Sequence, residues 1–319
     1  MKLGILGTAE IAFRRFLPAL GLCPEITYAG VASRTPEKGL KFQEQYGGKV
    51  YDSYDALLND DTIDAVYVPL PPALHYEWGK KVLLAGKHLL MEKPFTTNPQ
   101  HTKELLELAE EKGLAVHENY MFLYHSQLDW IRQQLADGRI GELRLIRTAF
   151  GFPFRGNTDF RYDKSLGGGA LLDCGGYPIR LATELLGNTA KVTTAQLNCG
   201  RGLDVDVYGS ASLVNDAGLV AQVSFGMDNS YKCELELWGS TGCILADRIF
   251  TAPAGFAPTM KIKTQTGEEQ VLLADDDSFR NSISAFYQNV KNIQARETMQ
   301  NNIYLQSTLV ENVKKGFTL

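Results

Sequence analysis

Cysteine and histidine are scarce, five of each in 319 residues. Cys23, Cys174, Cys199, Cys233 and Cys243 are odd in number and scattered, with no C-x-x-C pair. A disulfide framework or a structural zinc site needs paired, closely spaced thiols, so neither is expected and no metal is assigned. Long apolar runs are also missing. No stretch approaches the ~18 apolar residues of a membrane span. The opening Met1-Lys2-Leu3-Gly4-Ile5-Leu6-Gly7 reaches glycine too soon for a secretory leader. A reducing, cytoplasmic setting without a membrane partner is the expectation. Basic residues are not in excess: 32 Lys and Arg against 37 Asp and Glu leave a net charge of −5. The basic stripe that engages nucleic-acid phosphates is therefore lacking, as are internal repeats and low-complexity tracts.

What is present is ordinary globular composition, 44% hydrophobic and 22% charged, at a length that suggests two domains. The first 120 residues alternate short apolar runs (2–6, 28–32, 63–68, 89–91 and 114–116) with helical patterns (11–20, 78–85 and 99–111). Strands apolar on both faces, each followed by a helix, predict a doubly wound parallel sheet. After a further helix at 127–136 the period changes to two. Val207, Ala211 and Leu213 alternate with Asp206, Ser210 and Ser212; Ala221, Val223 and Phe225 alternate with Gln222 and Ser224; Leu235 and Leu237 alternate with Glu234 and Glu236. One apolar and one polar face predict a large, mostly antiparallel open sheet, closed by helices at 279–293 and 299–314. The expectation is an α/β dinucleotide-binding domain over 1–120 and an α+β domain over 121–319 for substrate binding and oligomerisation.

Gly7-Thr8-Ala9-Glu10-Ile11-Ala12 follows the first strand directly. The dinucleotide fingerprint G-x-G-x-x-[GA] is met with Ala9 in the second glycine position. Gly7 permits the tight turn, Ala9 is small enough for a pyrophosphate to approach, and Ala12 allows close helix–strand packing. Backbone N–H groups of Thr8 to Ile11 would face the phosphates at the helix start. The second strand ends Ala32-Ser33-Arg34, where an NAD site would place a carboxylate for the ribose 2′-hydroxyl. Arg34, with Lys38 nearby, suits a 2′-phosphate instead, which a carboxylate would repel. NADP(H) is the expected cofactor.

The run 89–91 ends Glu92-Lys93-Pro94, at the carboxyl edge of the sheet where such folds bind ligands. A lysine there can donate a proton or aim charge at a carbonyl oxygen. Further on, Asp173 and Tyr177 are four apart in Asp173-Cys174-Gly175-Gly176-Tyr177, so both can point into one cleft. Gly175 and Gly176 are expected to clear backbone for a ligand, and Pro178 to distort the helix beside Tyr177. A free phenol titrates near ~10. An ammonium ~4 Å away at an effective dielectric of ~20 contributes about 4 kcal/mol toward its ionised form, less a desolvation term. Lys93 is thus expected to tune Tyr177, and Tyr177 to pass the proton to or from a secondary alcohol.

These residues resemble the Gfo/Idh/MocA oxidoreductases. Gly7–Ala12, Ala32-Ser33-Arg34, Leu74-His75, Gly86-Lys87-His88, Glu92-Lys93-Pro94 and Gly168-Gly169-Ala170-Leu171-Leu172-Asp173 occur in that family's order and spacing. The resemblance implies that Lys93, Asp173 and Tyr177 form the catalytic group, with Tyr177 where inositol dehydrogenases carry histidine. It also places Leu70, Pro71, His75, Glu92, Lys93 and Asn119 at the cofactor, and Lys93, Tyr120, Arg161, Asp173 and Tyr177 at the substrate. The helix continues Tyr177-Pro178-Ile179-Arg180, without the second carboxylate of inositol-type members. With Arg34, the tyrosine form resembles NADP-dependent dihydrodiol and pentose dehydrogenases and nucleotide-sugar 3-ketoreductases. Asn119-Tyr120 and Phe160-Arg161-Tyr162 favour the ketoreductases, hence a keto-sugar substrate. Some relatives bind cofactor only as regulators, but a sensor needs none of the three catalytic candidates. Trp238 and Tyr208, on the polar face of the second sheet, fit a subunit interface of a homodimer or homotetramer.

Overall fold

The structure is a computed structural model and describes residues 1–35 and 37–316. The chain divides into two compact units, Met1–Tyr120 with Phe279–Ser307, and Met121–Ser278 with Thr308–Leu319. The first contains a six-stranded sheet of β1 (Lys2–Leu6), β2 (Thr27–Ala32), β3 (Lys49–Tyr51), β4 (Ala65–Val68), β5 (His88–Met91) and β6 (Val116–Glu118). Their order is β3-β2-β1-β4-β5-β6 and every pairing is parallel. Leu3, Ile5, Val66, Val68, Leu89 and Leu90 are fully buried, as expected for strands covered on both faces. The order reverses at β1, which lies between β2 and β4, and ligands bind such sheets outside the strand ends at this switch.

The helix after β1 opens as a π-helical turn, Ala12–Phe16, before α1 (Leu17–Leu20). Then come α2 (Glu37–Tyr46), α3 (Tyr54–Leu58), α4 (His75–Leu84) and α5 (Pro99–Glu111). Ser53 caps α3 by accepting from the amide of Ala56 at 3.0 Å, and Asn98 caps α5 by accepting from that of His101 at 2.9 Å. Pro99 follows Asn98, where a missing N–H costs nothing.

Three expectations differ from the structure. The strand read at 114–116 runs over Val116–Glu118, and the helices read within 279–314 are α8 (Ser278–Lys291) and α9 (Ile293–Lys315). Residues 279–307, read as part of the second domain, belong to the first unit. The reason is polar. β6 ends in His117 and Glu118, with Asn119 next in the chain, all buried, and buried polar groups need partners. Asn289 donates to His117 Nδ1 (3.1 Å), His117 Nε2 donates to Ser282 Oγ (2.9 Å), and Ser282 donates to Asn119 Oδ1 (2.9 Å). Burial pushes the His117 imidazole down to about 3, so the ring is neutral with one N–H to give and one lone pair to receive. That is what its two partners require.

The second unit holds an eight-stranded sheet of β7 (Leu143–Gly151), β8 (Lys191–Cys199), β9 (Asp206–Val214), β10 (Val220–Gly226), β11 (Lys232–Gly239), β12 (Gly242–Asp247), β13 (Thr259–Thr264) and β14 (Gly267–Leu272). Its order is β14-β13-β12-β11-β7-β10-β9-β8, antiparallel except for the β7–β10 pair. The predicted alternation holds: Val207, Ala211, Leu213, Ala221, Val223, Leu235 and Leu237 are buried, whereas Ser210, Gln222, Ser224 and Glu234 are exposed. On the exposed face Tyr208 and Trp238 keep 46% and 50% of their surface. Helix α6 (Gln127–Ala136), a π-helical turn Leu171–Gly175 and α7 (Gly176–Leu186) belong to this unit as well. Among the described residues no helix is long and apolar enough to cross a membrane.

Candidate active site

In the first unit, Gly7 leaves β1 at φ +98°, and a Cβ there would lie 2.8 Å from Leu70 Cδ2. Its amide bonds Ala32 O at 2.8 Å, tying the ends of β1 and β2 together. Thr8 and Ala9 are half-buried above the junction, Ile11 is exposed, and Ala12 packs with no exposed surface. The turn fits a pyrophosphate by its shape: a position restricted to glycine, small neighbours, and a helix start presenting unpaired amides. At the end of β2, Ser33 is buried and accepts from the amide of Thr35 at 3.2 Å. Arg34 and Lys38 are exposed. Burial raises the Tyr54 phenol above its ordinary range while the charge and hydrogen bond of Arg34 oppose that rise, so the guanidinium lies against Tyr54. Neither position carries a carboxylate, and the edge is prepared for an anion.

His75 is fully buried, with Nδ1 2.7 Å from Pro94 O and Nε2 2.7 Å from Leu70 O. Burial holds its pKa below the ordinary imidazole value, outweighing the two carbonyls. The ring thereby joins the Leu70–Pro71 loop to the loop after β5. The Lys93–Pro94 peptide is cis. Glu92 accepts from Tyr67 (2.6 Å) and from Asn119 (2.7 Å), which ends the chain that begins at Asn289. Sequence reasoning singled out Glu92, Lys93 and Asn119 as candidates and did not single out His117, Ser282 and Asn289 behind them. Tyr120 differs from expectation: it is 1% exposed and its hydroxyl accepts from Gln306 at 3.3 Å. That packs it within the first unit.

In the second unit, the amide of Gly176 reaches back to Leu171 O, closing the π-helical turn that carries Asp173. The expected distortion lies immediately before Tyr177. Pro178 explains it: with no N–H to return to Cys174 O, the chain winds wider. Asp206 on β9 accepts from the amide of Leu171 at 2.7 Å, and burial raises its pKa. Gly169, at φ +125°, is what admits it, since a Cβ there would lie 2.4 Å from Asp206 Oδ1. Asp206 had been read only as part of a polar sheet face. A Cβ on Gly175 would lie 3.0 Å from the ring of Phe225, so its missing side chain serves packing on the sheet and not a ligand's passage.

Arg161 donates to Asp173 Oδ2 at 2.8 Å and to both oxygens of Asp159 at 3.1 and 3.3 Å. Burial works against its charge, but the two carboxylates outweigh burial and hold its pKa above the ordinary value. Its fork is thus engaged by carboxylates, and it orients Asp173. Tyr177 is 7% exposed. Its ring meets Phe150 edge-on at 5.0 Å, Phe250 at 5.8 Å and Phe122 at 5.8 Å. A phenol in such a shell keeps its O–H direction fixed and feels nearby charge strongly.

The protein family described as "Oxidoreductase family, NAD-binding Rossmann fold" matches residues 1–120, and the "GFO/IDH/MocA C-terminal domain" matches residues 129–245. The chain is 41% identical over 316 residues to dTDP-3,4-didehydro-2,6-dideoxy-alpha-D-glucose 3-reductase from Actinomadura kijaniata, covering 99% of this chain and 95% of that one. It is 30% identical to D-xylose 1-dehydrogenase (NADP(+)) 2 from Haloferax volcanii, covering 90% and 88%. Among solved structures, KijD10, a 3-ketoreductase from Actinomadura kijaniata in complex with NADP and TDP-benzene, superimposes with a TM-score of 0.95 at 41% identity, covering 99% and 98%.

Proposed function

Because this chain belongs to the Gfo/Idh/MocA oxidoreductase family, we propose that it reduces the ketone of a keto-sugar carried on a nucleoside diphosphate, using NADP(H). The cofactor, when bound, supplies the hydride. The chain's residues do the rest. Residues 1–120 hold the cofactor: the amides after Gly7 take the pyrophosphate, and Arg34 with Lys38 takes the 2′-phosphate. His75 fixes the loops that carry Leu70, Pro71 and Pro94. The second unit holds the sugar. Tyr177 gives its phenolic proton to the carbonyl oxygen as that oxygen gains charge, Lys93 supplies the positive charge that eases loss of that proton, and Asp173, oriented by Arg161, accepts a sugar hydroxyl.

The observation that carries this reading is Tyr177 itself, a proton-bearing side chain in the first turn of α7, directly after a π-helical turn and within an aromatic shell. Relatives named for the reduction of dTDP-sugars and for NADP support the substrate and cofactor classes. The test is NADPH consumption with a dTDP-linked 3-keto-hexose against the same sugar without nucleotide. Preferred turnover of the nucleotide form is expected. Faster oxidation of D-xylose or a dihydrodiol with NADP+ would overturn the assignment.

The exposed sheet face of the second unit is the surface we assign to a second copy of the chain. It contains a concavity of about 750 Å³ lined by Arg147, Gln222, Lys232, Glu234 and Glu236. Arg147 pairs with Glu236 at 3.5 Å and lies over the Trp238 ring at 5.2 Å. Charges of both signs on neighbouring strands let the face meet itself under two-fold symmetry. Sedimentation velocity should show a dimer or tetramer, and Trp238→Glu should shift it toward monomer; a monomeric wild type contradicts this.

A further inference from the structure

Within the first unit, β4 is buried along its whole length behind Ala65, Val66, Tyr67 and Val68. β6 instead buries His117 and Glu118 and leads into a buried Asn119. Helix α8 meets that end with a matching face. Ser282, Phe286 and Asn289 recur four and three residues apart, so they share one side of the helix, and all three are buried. Phe286 meets the His117 ring at 5.9 Å, with Ser282 Oγ at one ring nitrogen (2.9 Å) and Asn289 Nδ2 at the other (3.1 Å). An apolar stripe could pack this face without desolvating any polar group. The reason for a polar one lies in what it holds in place.

One group sets the direction of every bond in the chain. A carboxylate only accepts, so Asn119 must turn its NH2 to Glu92 Oε1, at 2.7 Å. Asn119 Oδ1 then faces Ser282, which donates to it at 2.9 Å. With its one proton spent there, the Ser282 hydroxyl accepts from His117 Nε2, and His117 Nδ1 is left to accept from Asn289. The two amides donate from nitrogen and accept at oxygen, so the chain transmits orientation and no proton. What it orients is the turn after β5. Glu92 Oε1 also accepts from Tyr67 at 2.6 Å, and Glu92 Oε2 faces the Lys93 amide at 3.4 Å. Just beyond, the Phe95 amide donates to Glu118 Oε1 at 2.7 Å. Lys93 therefore sits between two clamps supplied by consecutive residues, Glu118 and Asn119, and α8 sets the second of them.

We propose that Ser282, His117 and Asn289 are positioning residues for Lys93: they set the Asn119 amide and, through Glu92, the backbone that carries the lysine. The proposal rests on the part given to Lys93 in the reaction above. Ser282→Thr and Ser282→Val test it, because threonine and valine share a shape and differ by the hydroxyl. With saturating NADPH and a dTDP-linked 3-keto-hexose, the valine variant should show a kcat about tenfold below the threonine variant. Their NADPH dissociation constants should agree within about twofold. A residue serving stability alone would separate the melting temperatures and leave kcat unchanged. In the Lys93→Met background the two variants should have equal kcat, since the hydroxyl's route to the reaction is gone. Equal kcat in the first pair, or a tenfold difference that survives in Lys93→Met, overturns the proposal. Normal turnover in Lys93→Met alone is a different failure: the lysine leaves the reaction and the positioning goes with it. Two measurements need no turnover. Hydrogen exchange over residues 92–96 should be several-fold faster in the valine variant than in the threonine variant, and equal exchange there overturns the proposal. Nitrogen-15 NMR of the wild-type protein should show His117 neutral with its proton on Nε2; a proton on Nδ1 would reverse the chain and overturn it as well.

Discussion

Tyr177→Phe is expected to lower kcat by a factor of roughly 100 to 10,000, the range of a lost general acid, with NADPH affinity changed less than about twofold. The substitution removes one oxygen and keeps the ring that packs on Phe150, Phe250 and Phe122, so the melting temperature should barely move. Lys93→Met should lower kcat by a comparable factor. If the two side chains act on one proton, the double variant should cost little more than either single one, since residues working as a unit are not additive. Steady-state kinetics with saturating NADPH, and direct cofactor titration of each variant, measure all of this. Near-normal turnover in Tyr177→Phe would remove the phenol from the chemistry.

Arg34→Ala should reduce the ratio of kcat/KM for NADPH over NADH by about tenfold to a hundredfold. A hydrogen bond to a charged group contributes ~1.5–3 kcal/mol, and ~1.4 kcal/mol is a factor of ten. The loss should fall on the KM for NADPH while NADH is used about as before, because only the former carries the 2′-phosphate. Lys38→Ala should act in the same direction by less, since it faces solvent and its charge is screened. Competition between the two cofactors in one assay gives the ratio directly. An unchanged ratio in Arg34→Ala means that something else reads the ribose.

The parallel sheet was legible wherever burial made a strand apolar throughout, as in β1, β4 and β5. It was not legible at β3, a three-residue strand beginning with an exposed lysine, and at β6 it was read two residues early, because the buried residues there include His117 and Glu118. Period two marked β9, β10 and β11 because one of their faces is open. Local motifs likewise gave Gly7, Arg34, Glu92, Lys93 and the Asp173–Tyr177 spacing. What the sequence could not disclose is pairing across distance. His117 meets Ser282 from 165 residues away, Asp206 holds Leu171 from 35, and Arg161 is turned inward by Asp173. Nothing local distinguishes Arg161 from a solvated arginine or Tyr120 from a ligand contact. The polarity of Asp206 was correctly seen and its partner was not, because a carboxylate on a strand reads as solvent-facing until a glycine opposite opens a way to an amide.

The most direct measurement follows a label. The protein is incubated with NADPH carrying deuterium at nicotinamide C4 on the transferred face and with a dTDP-linked 3-keto-hexose, and the recovered sugar nucleotide is analysed by mass spectrometry and NMR. The account predicts one deuterium at the carbinol carbon formed from the ketone, with the rate of incorporation collapsing in Tyr177→Phe. Reduction without label at that carbon, or incorporation at an undiminished rate in the phenylalanine variant, would contradict it.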